Sequence, residues 1–141
     1  MKSEILTYAQ FSELWQMLPE YASIRNPELI YNSNNDGFSL STLYSKCHPY
    51  RNGHSFVICI VKTMKDQIFG FYADKMLKKM PYTYQGTSDC FVFAFPQKQE
   101  SKVWYTNNTN SRYLLCQLEY ISMGGAGNGP AIYLDESLQK G

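Results

Sequence analysis

The stretch Met123-Gly124-Gly125-Ala126-Gly127-Asn128-Gly129-Pro130-Ala131-Ile132-Tyr133-Leu134-Asp135-Glu136 sets a glycine-dense turn against a β-type segment that ends in two carboxylates. Glycine reaches positive φ without a Cβ clash, so this spacing permits a tight reversal or a close approach by another chain. A phosphate-cradling loop would open a helix, with GxGxxG or GxxxxGK[ST] spacing and amides facing the anion. Neither spacing occurs here, and no Lys follows the glycines. Pro130 and the β-branched and aromatic residues after it favour an extended strand instead. The stretch therefore reads as a turn between strands of a β-rich domain, and it argues against nucleotide binding.

Working outward, residues 112–118, 119–123 and 131–134 are strand candidates around that turn. Residues 90–95 and 102–106 form an expected hairpin about a polar loop at 96–101, and residues 55–62 and 67–73 another about a turn at 63–66. The continuous apolarity of residues 55–62 suits a strand covered on both faces, and we expect it to be central. Gly70 interrupts the next strand, where a bulge is expected. Upstream, Thr7-Tyr8-Ala9-Gln10 has the spacing of a capping box. Phe11, Leu14, Trp15 and Leu18 then follow on one helical face up to Pro19. Leu40, Leu43, Tyr44 and Cys47 repeat that spacing before His48-Pro49. Between the two helices, residues 28–31 suggest a short strand and residues 32–37 a polar turn. The pattern is that of one α+β domain spanning residues 1–141, with antiparallel sheets and two early helices.

Composition narrows the function classes. With 13 basic and 12 acidic residues the formal charge is +1, which offers no electrostatic footprint for nucleic acid or an anionic membrane surface. No apolar run reaches the roughly 18 residues needed for direct membrane insertion, and the N-terminus lacks the pattern of a signal peptide. A cytoplasmic protein is expected. Cys47, Cys59, Cys90 and Cys116 are widely spaced, without CxxC or a Cys/His cluster, so neither a metal site nor a dithiol motif is indicated, and no cofactor is expected.

Several polar features carry competing readings. Cys47 beside His48 invites a nucleophile, but adjacent residues rarely bring their side chains together and packing is the simpler account. Asp89 next to Cys90 disfavours a thiolate there. Lys75, Lys78 and Lys79 either face an anionic partner or form a solvated loop whose Met76, Leu77 and Met80 tuck inward. Asn107-Asn108-Thr109 matches a glycosylation sequon and reads as a polar turn. Asp135 and Glu136, consecutive on a strand, point to opposite faces and are poorly placed to act together as acid and base. One of them is expected to cap the following turn through Ser137.

Four separated pieces occur in a recognisable order: Leu29-Ile30-Tyr31 through Asp36-Gly37-Phe38-Ser39-Leu40 and Thr42-Leu43-Tyr44-Ser45-Lys46-Cys47; Ile68-Phe69-Gly70-Phe71-Tyr72-Ala73; Gly86-Thr87-Ser88-Asp89-Cys90-Phe91-Val92-Phe93; and the glycine turn with Leu134-Asp135-Glu136-Ser137-Leu138 and Gly141. In this order and spacing the chain resembles a TLDc domain. The resemblance implies a β-sandwich flanked by helices. Members of the family usually continue into a Cys-x-Thr-Phe segment and a closing strand ending in Trp-Gly-Phe, and no match to it lies within residues 1–141. The expectation is a sheet lacking the family's closing C-terminal strand, with an edge open to self-association.

The resemblance also implies a function. TLDc proteins are associated with oxidative stress resistance, and members bind soluble-sector subunits of the vacuolar-type proton-pumping ATPase (V-ATPase) and regulate it. A non-enzymatic protein-interaction domain is therefore expected, recruited to vacuolar, lysosomal or vesicle membranes. Gly124, Gly125, Gly127 and Gly129, together with Asp135 and Glu136, are the candidate partner-binding residues. No catalytic residue carries over. The alternatives are a thiol-dependent antioxidant enzyme using Cys47, and the accessory domain of a Rab-GAP-type membrane-traffic regulator.

Overall fold

The structure is a computed structural model that describes residues 3–125 and 129–139. Helix α1 (Tyr8–Met17) starts where the sequence places it. The Thr7 Oγ1 accepts from the Gln10 amide at 3.2 Å, and the Thr7 amide donates to Gln10 Oε1 at 3.0 Å, which closes the capping box. Leu14 and Leu18 turn inward, while Phe11 stacks on Trp15 with ring centroids 5.3 Å apart. A single turn, α2 (Glu20–Ser23), follows Pro19, and its Ser23 carbonyl accepts from Trp15 Nε1 at 2.7 Å.

Residues 28–31 form no strand, contrary to the sequence reading. Leu29 is exposed, and only Ile30 and Tyr31 pack on the core, so the segment crosses the core's edge without a ladder partner. The polar turn is a short helix, α3 (Ser33–Asp36), capped by the Asn32 side chain. The Asn32 amide donates to Asp36 Oδ2 at 2.8 Å, and this bond together with Lys46 holds the Asp36 carboxyl below the usual range against a smaller effect of burial. Helix α4 (Leu40–Cys47) buries Leu40, Leu43, Tyr44 and Cys47 on one face, as their spacing requires, and passes into a 3-10 turn at His48–Tyr50.

Eight strands make two antiparallel sheets. The first has the order β1 (Val57–Lys62), β2 (Ile68–Ala73), β4 (Phe91–Phe95), β5 (Lys102–Tyr105). The second runs β3 (Tyr84–Gln85), β6 (Leu114–Cys116), β7 (Tyr120–Met123), β8 (Ile132–Asp135). Both expected hairpins are present, β1 with β2 and β4 with β5. Strand β1, however, lies at the edge of its sheet and not in its centre. Its continuous apolarity reports two covered faces, which is a different property from having two neighbours. Val57, Cys59 and Val61 face the second sheet, and Ile58 and Ile60 face α1 and α2.

The pleat of the first sheet divides the core in two. Phe71 and Ala73 join Leu114, Cys116, Ile121, Met123, Ile132, Leu134 and the buried face of α4 between the sheets. Tyr72, Phe91, Phe93 and Phe95 meet Leu6, Leu14, Leu18 and Ala22 on the other side. The layers are thus α1 and α2, the first sheet, then α4 with the second sheet: an α+β sandwich flanked by helices.

Gly70 sits at no bulge. The register runs unbroken from Ile60 through Gly70 to Phe93. Glycine is needed there because a Cβ would collide with the Cys59 carbonyl and come within 2.7 Å of the Phe93 ring. Past β8, the Glu136 carbonyl accepts from the Leu40 amide at 2.9 Å, which joins the end of this outer strand to the start of α4.

Candidate functional site

The glycine turn connects β7 to β8. Gly124 adopts φ of 83° and its amide donates to the Tyr113 carbonyl at 2.6 Å, while the Ala131 amide closes the other side on the Met123 carbonyl at 2.9 Å. Gly125 lies against its neighbours. A Cβ there would stand 2.8 Å from the Arg112 Cβ and 3.2 Å from the Tyr84 hydroxyl, and its carbonyl accepts from Asn110 Nδ2 at 2.9 Å. Gly129, at φ of 99°, faces open space. Gly127 lies outside the described residues, as does Gly141.

Asp135 and Glu136 sit at the other end of the same hairpin. Met123 pairs with Ile132 beside the turn, whereas Tyr120 pairs with Asp135 three residues further along, roughly 10 Å at a strand's rise. The Asp135 carboxylate accepts from the Ser137 hydroxyl at 2.9 and 3.0 Å and from the Gln139 amide at 3.3 Å. It therefore caps the turn through Ser137. The Glu136 side chain is exposed. Turn and carboxylates are two ends of one surface and not a single cluster.

What lies between them is a row that the sequence reading missed. Tyr84, Leu115, Ser122 and Tyr133 are in register across the outer face of the second sheet, and Tyr120 stacks on Tyr133 at 5.0 Å. Tyr84 and Tyr133 are 40% and 41% exposed. The available signal was the alternation Ile132-Tyr133-Leu134, in which an exposed aromatic separates two inward residues. Leu115 and Ser122, in the middle of the row, are 6% and 4% exposed, so the face opens at its two tyrosine ends.

The thiols are placed for packing. Cys47 and Cys116 are fully buried, and Cys90 nearly so. Burial pushes the Cys47 thiol up to about 11 against a weaker opposing pull from Arg51, and it raises Cys59 to about 12 and Cys90 and Cys116 to about 11. His48 is exposed on the 3-10 turn, whereas the thiol beside it is buried, and no hydrogen bond joins the two side chains among the described residues. We expect iodoacetamide at pH 7.5 to label all four cysteines slowly in the folded protein and quickly in urea; rapid labelling of Cys47 in the folded state would contradict this placement.

Asp74, and not Asp89, lies against Cys90. Its carboxylate accepts from the Thr87 amide at 2.9 Å, the Thr87 hydroxyl at 2.6 Å and the Cys90 thiol at 3.4 Å. Asp89 instead accepts from the Tyr21 hydroxyl at 2.6 Å, tying α2 to the loop before β4. Burial alone would raise the Asp74 carboxyl, but the Thr87 and Cys90 bonds outweigh it and leave it below the usual value. A depressed carboxyl contributes stability that is present above the unfolded value of about 4 and is lost as pH falls through the lower folded value. Asp74→Asn should cost about 1–3 kcal/mol at pH 7. The gap to the parent protein should close only below about pH 4, as read by urea melts across pH. A gap independent of pH would refute the account.

Lys75, Lys78 and Lys79 are exposed around Leu77, which is 1% exposed and tucks inward, a placement that fits both a solvated loop and lysines open to an anionic partner. Among the described residues no group of three His, Cys, Asp or Glu is arranged to hold a metal ion, and no helix is long and apolar enough to cross a membrane.

A family model described as the TLDc domain matches residues 1–141. The chain is similar to oxidation resistance protein 1 of Yarrowia lipolytica, 27% identical over 146 residues that cover 99% of this chain and 62% of that protein. It is similar to oxidation resistance protein 1 of Schizosaccharomyces pombe, 29% identical over 145 residues covering 99% and 76%. It is also similar to TBC1 domain family member 24 of Xenopus tropicalis, 27% identical over 108 residues covering 73% and 18%. The chain thus spans less than two thirds of the first and only a small part of the last.

Proposed function

We propose, on the premise that the chain belongs to the TLDc domain family, that it is a non-enzymatic protein-interaction domain which binds the soluble sector of the vacuolar-type proton-pumping ATPase and contributes in that way to oxidative stress resistance. The observation that carries the reading is the outer face of the second sheet. It holds exposed Tyr84 and Tyr133 on either side of buried Leu115 and Ser122, in the sheet that also carries the glycine turn and Asp135–Glu136. Tyrosines offer a large contact area at low conformational cost and keep a hydroxyl for hydrogen bonding, which suits a protein interface. The pump is carried over from the family resemblance, and the link to oxidative stress accords with the names of the relatives. Regulation would follow from differential affinity: a domain that prefers one assembly state of the pump shifts the equilibrium toward it.

The thiol-dependent alternative is disfavoured by the burial of Cys47, since protection by a catalytic thiol needs an accessible thiolate. The similarity to TBC1 domain family member 24 keeps an accessory role in a membrane-traffic regulator as a second reading; that role would depend on segments outside residues 1–141.

The test is a titration of the purified domain against the pump, reading complex formation and ATP hydrolysis together. We expect saturable binding with altered hydrolysis. Gly125→Val places branched carbons against Arg112 and Tyr84, so it should reshape the turn and weaken the complex at least tenfold. Wild-type affinity in a folded Gly125→Val protein would sink the site assignment, and no binding by the folded parent domain would sink the partner.

A further inference from the structure

A cavity of about 190 Å³ is walled by the loop that follows the 3-10 turn, the loop that follows β2, and Gln85. Arg51, Lys75 and Lys78 line it together with His54 and Ser55. As a sphere it would be roughly 7 Å across, less than the Debye length of about 8 Å at physiological salt, so charges around it act on a common occupant. Its single carboxylate, Asp74, is committed to Thr87 and Cys90. The ion pairs among the described residues join Lys46 to Asp36 and Lys62 to Asp66, and neither Lys75 nor Lys78 takes part in one. Three cationic side chains thus frame a concavity that holds one carboxylate, an excess of two positive charges in a chain of net charge +1.

The walls are held in place. Arg51 Nε donates to the Leu77 carbonyl at 3.1 Å and its Nη2 to the Tyr44 carbonyl at 3.0 Å, which fixes the guanidinium at the cavity wall. Gln85 Nε2 donates to the Lys78 carbonyl at 2.8 Å, and Leu77, between the lysines, is anchored in the core. The backbone beneath both lysines is therefore pre-organised, which lowers the entropic cost of ordering a ligand.

We infer that this cavity, framed by Arg51, Lys75 and Lys78, is a binding site for the phosphate group of a phosphomonoester. The size supports a group and not a whole ligand, because pockets that enclose drug-sized molecules run from about 300 Å³ upward. A phosphomonoester brings close to two negative charges and three acceptor oxygens, which matches an excess of two positive charges spread over three separate donor side chains. A carboxylate brings one charge and two oxygens. The guanidinium contributes a directional donor, and the lysines act as point charges. The inference does not rest on the pump reading, since it concerns different residues and a different ligand class.

The test is a titration of the chain with inorganic phosphate at constant ionic strength, followed by the amide resonances of residues 51–55 and 74–78. Inositol 1-phosphate serves as a soluble monoester, and vesicles of phosphatidylcholine with or without phosphatidylinositol 4-phosphate present the same group on a membrane. We expect saturable shifts confined to the two loops. The exposed double variant Lys75→Gln/Lys78→Gln should weaken them at least tenfold with an unchanged far-ultraviolet spectrum. Sedimentation only with the phosphoinositide vesicles assigns the phosphate to a lipid headgroup; shifts with the soluble monoester and no sedimentation assign it to a soluble metabolite. Shifts that fail to saturate with all three probes, or that the double variant leaves unchanged, overturn the proposal.

Discussion

Gly70→Ala is expected to lower stability by at least about 3 kcal/mol, a large fraction of the total stability of a typical domain. The new methyl group would enter the space of the Cys59 carbonyl on β1 and stand 2.7 Å from the Phe93 ring on β4. Neither obstacle is a mobile chain end, since one is ladder backbone and the other belongs to a side chain 1% exposed. Alanine would recover the roughly 0.5–1 kcal/mol that glycine costs within a strand, and the clash outweighs this. Urea melts followed by circular dichroism give the answer directly. A wild-type midpoint would mean that β1 and β2 separate there without cost, and the account of Gly70 would fail.

Phe71→Ala should cost about 3–5 kcal/mol with the midpoint shifted and the slope of the urea transition unchanged. Phe71 is 0% exposed and projects between the sheets, in register with Cys59 and Val92 and packed within the cluster that includes α4 and β6 to β8. Removing the ring leaves a void between layers that are fixed by two separate hydrogen-bonded ladders, so neither sheet can collapse freely to fill it. Tyr133→Ala offers the contrast. Its ring is 41% exposed on the outer face, and its loss should change stability by under about 1 kcal/mol while weakening the proposed complex with the pump. A Phe71→Ala cost no larger than that of Tyr133→Ala would contradict the two-sheet core.

The sites differ in how far they could be read before the fold was known. The glycine turn was legible, because positive φ at Gly124 and Gly129 and a strand after Pro130 are local properties. The Ser137 bond to Asp135 was legible for the same reason. The separation of that turn from Asp135 and Glu136 was not, since it depends on β7 pairing with β8 along its length. The tyrosine row needed three strand pairings at once, and the basic cavity needed Arg51 to meet the loop after β2.

By itself the sequence determined what is local: the capping box of α1, the apolar face of α4, and the hairpins of β1 with β2 and β4 with β5. Side-chain period and turn chemistry act over a few residues, and no distant contact overrode them here. Only the tertiary structure decided that residues 28–31 stay out of both sheets, that β1 takes an edge, that two-residue β3 exists, and that Gly70 is required by a neighbouring carbonyl. Each of these depends on which strand lies beside which. That is settled by contacts between residues far apart in the chain, and the period of a single segment reports that a face is covered without reporting what covers it.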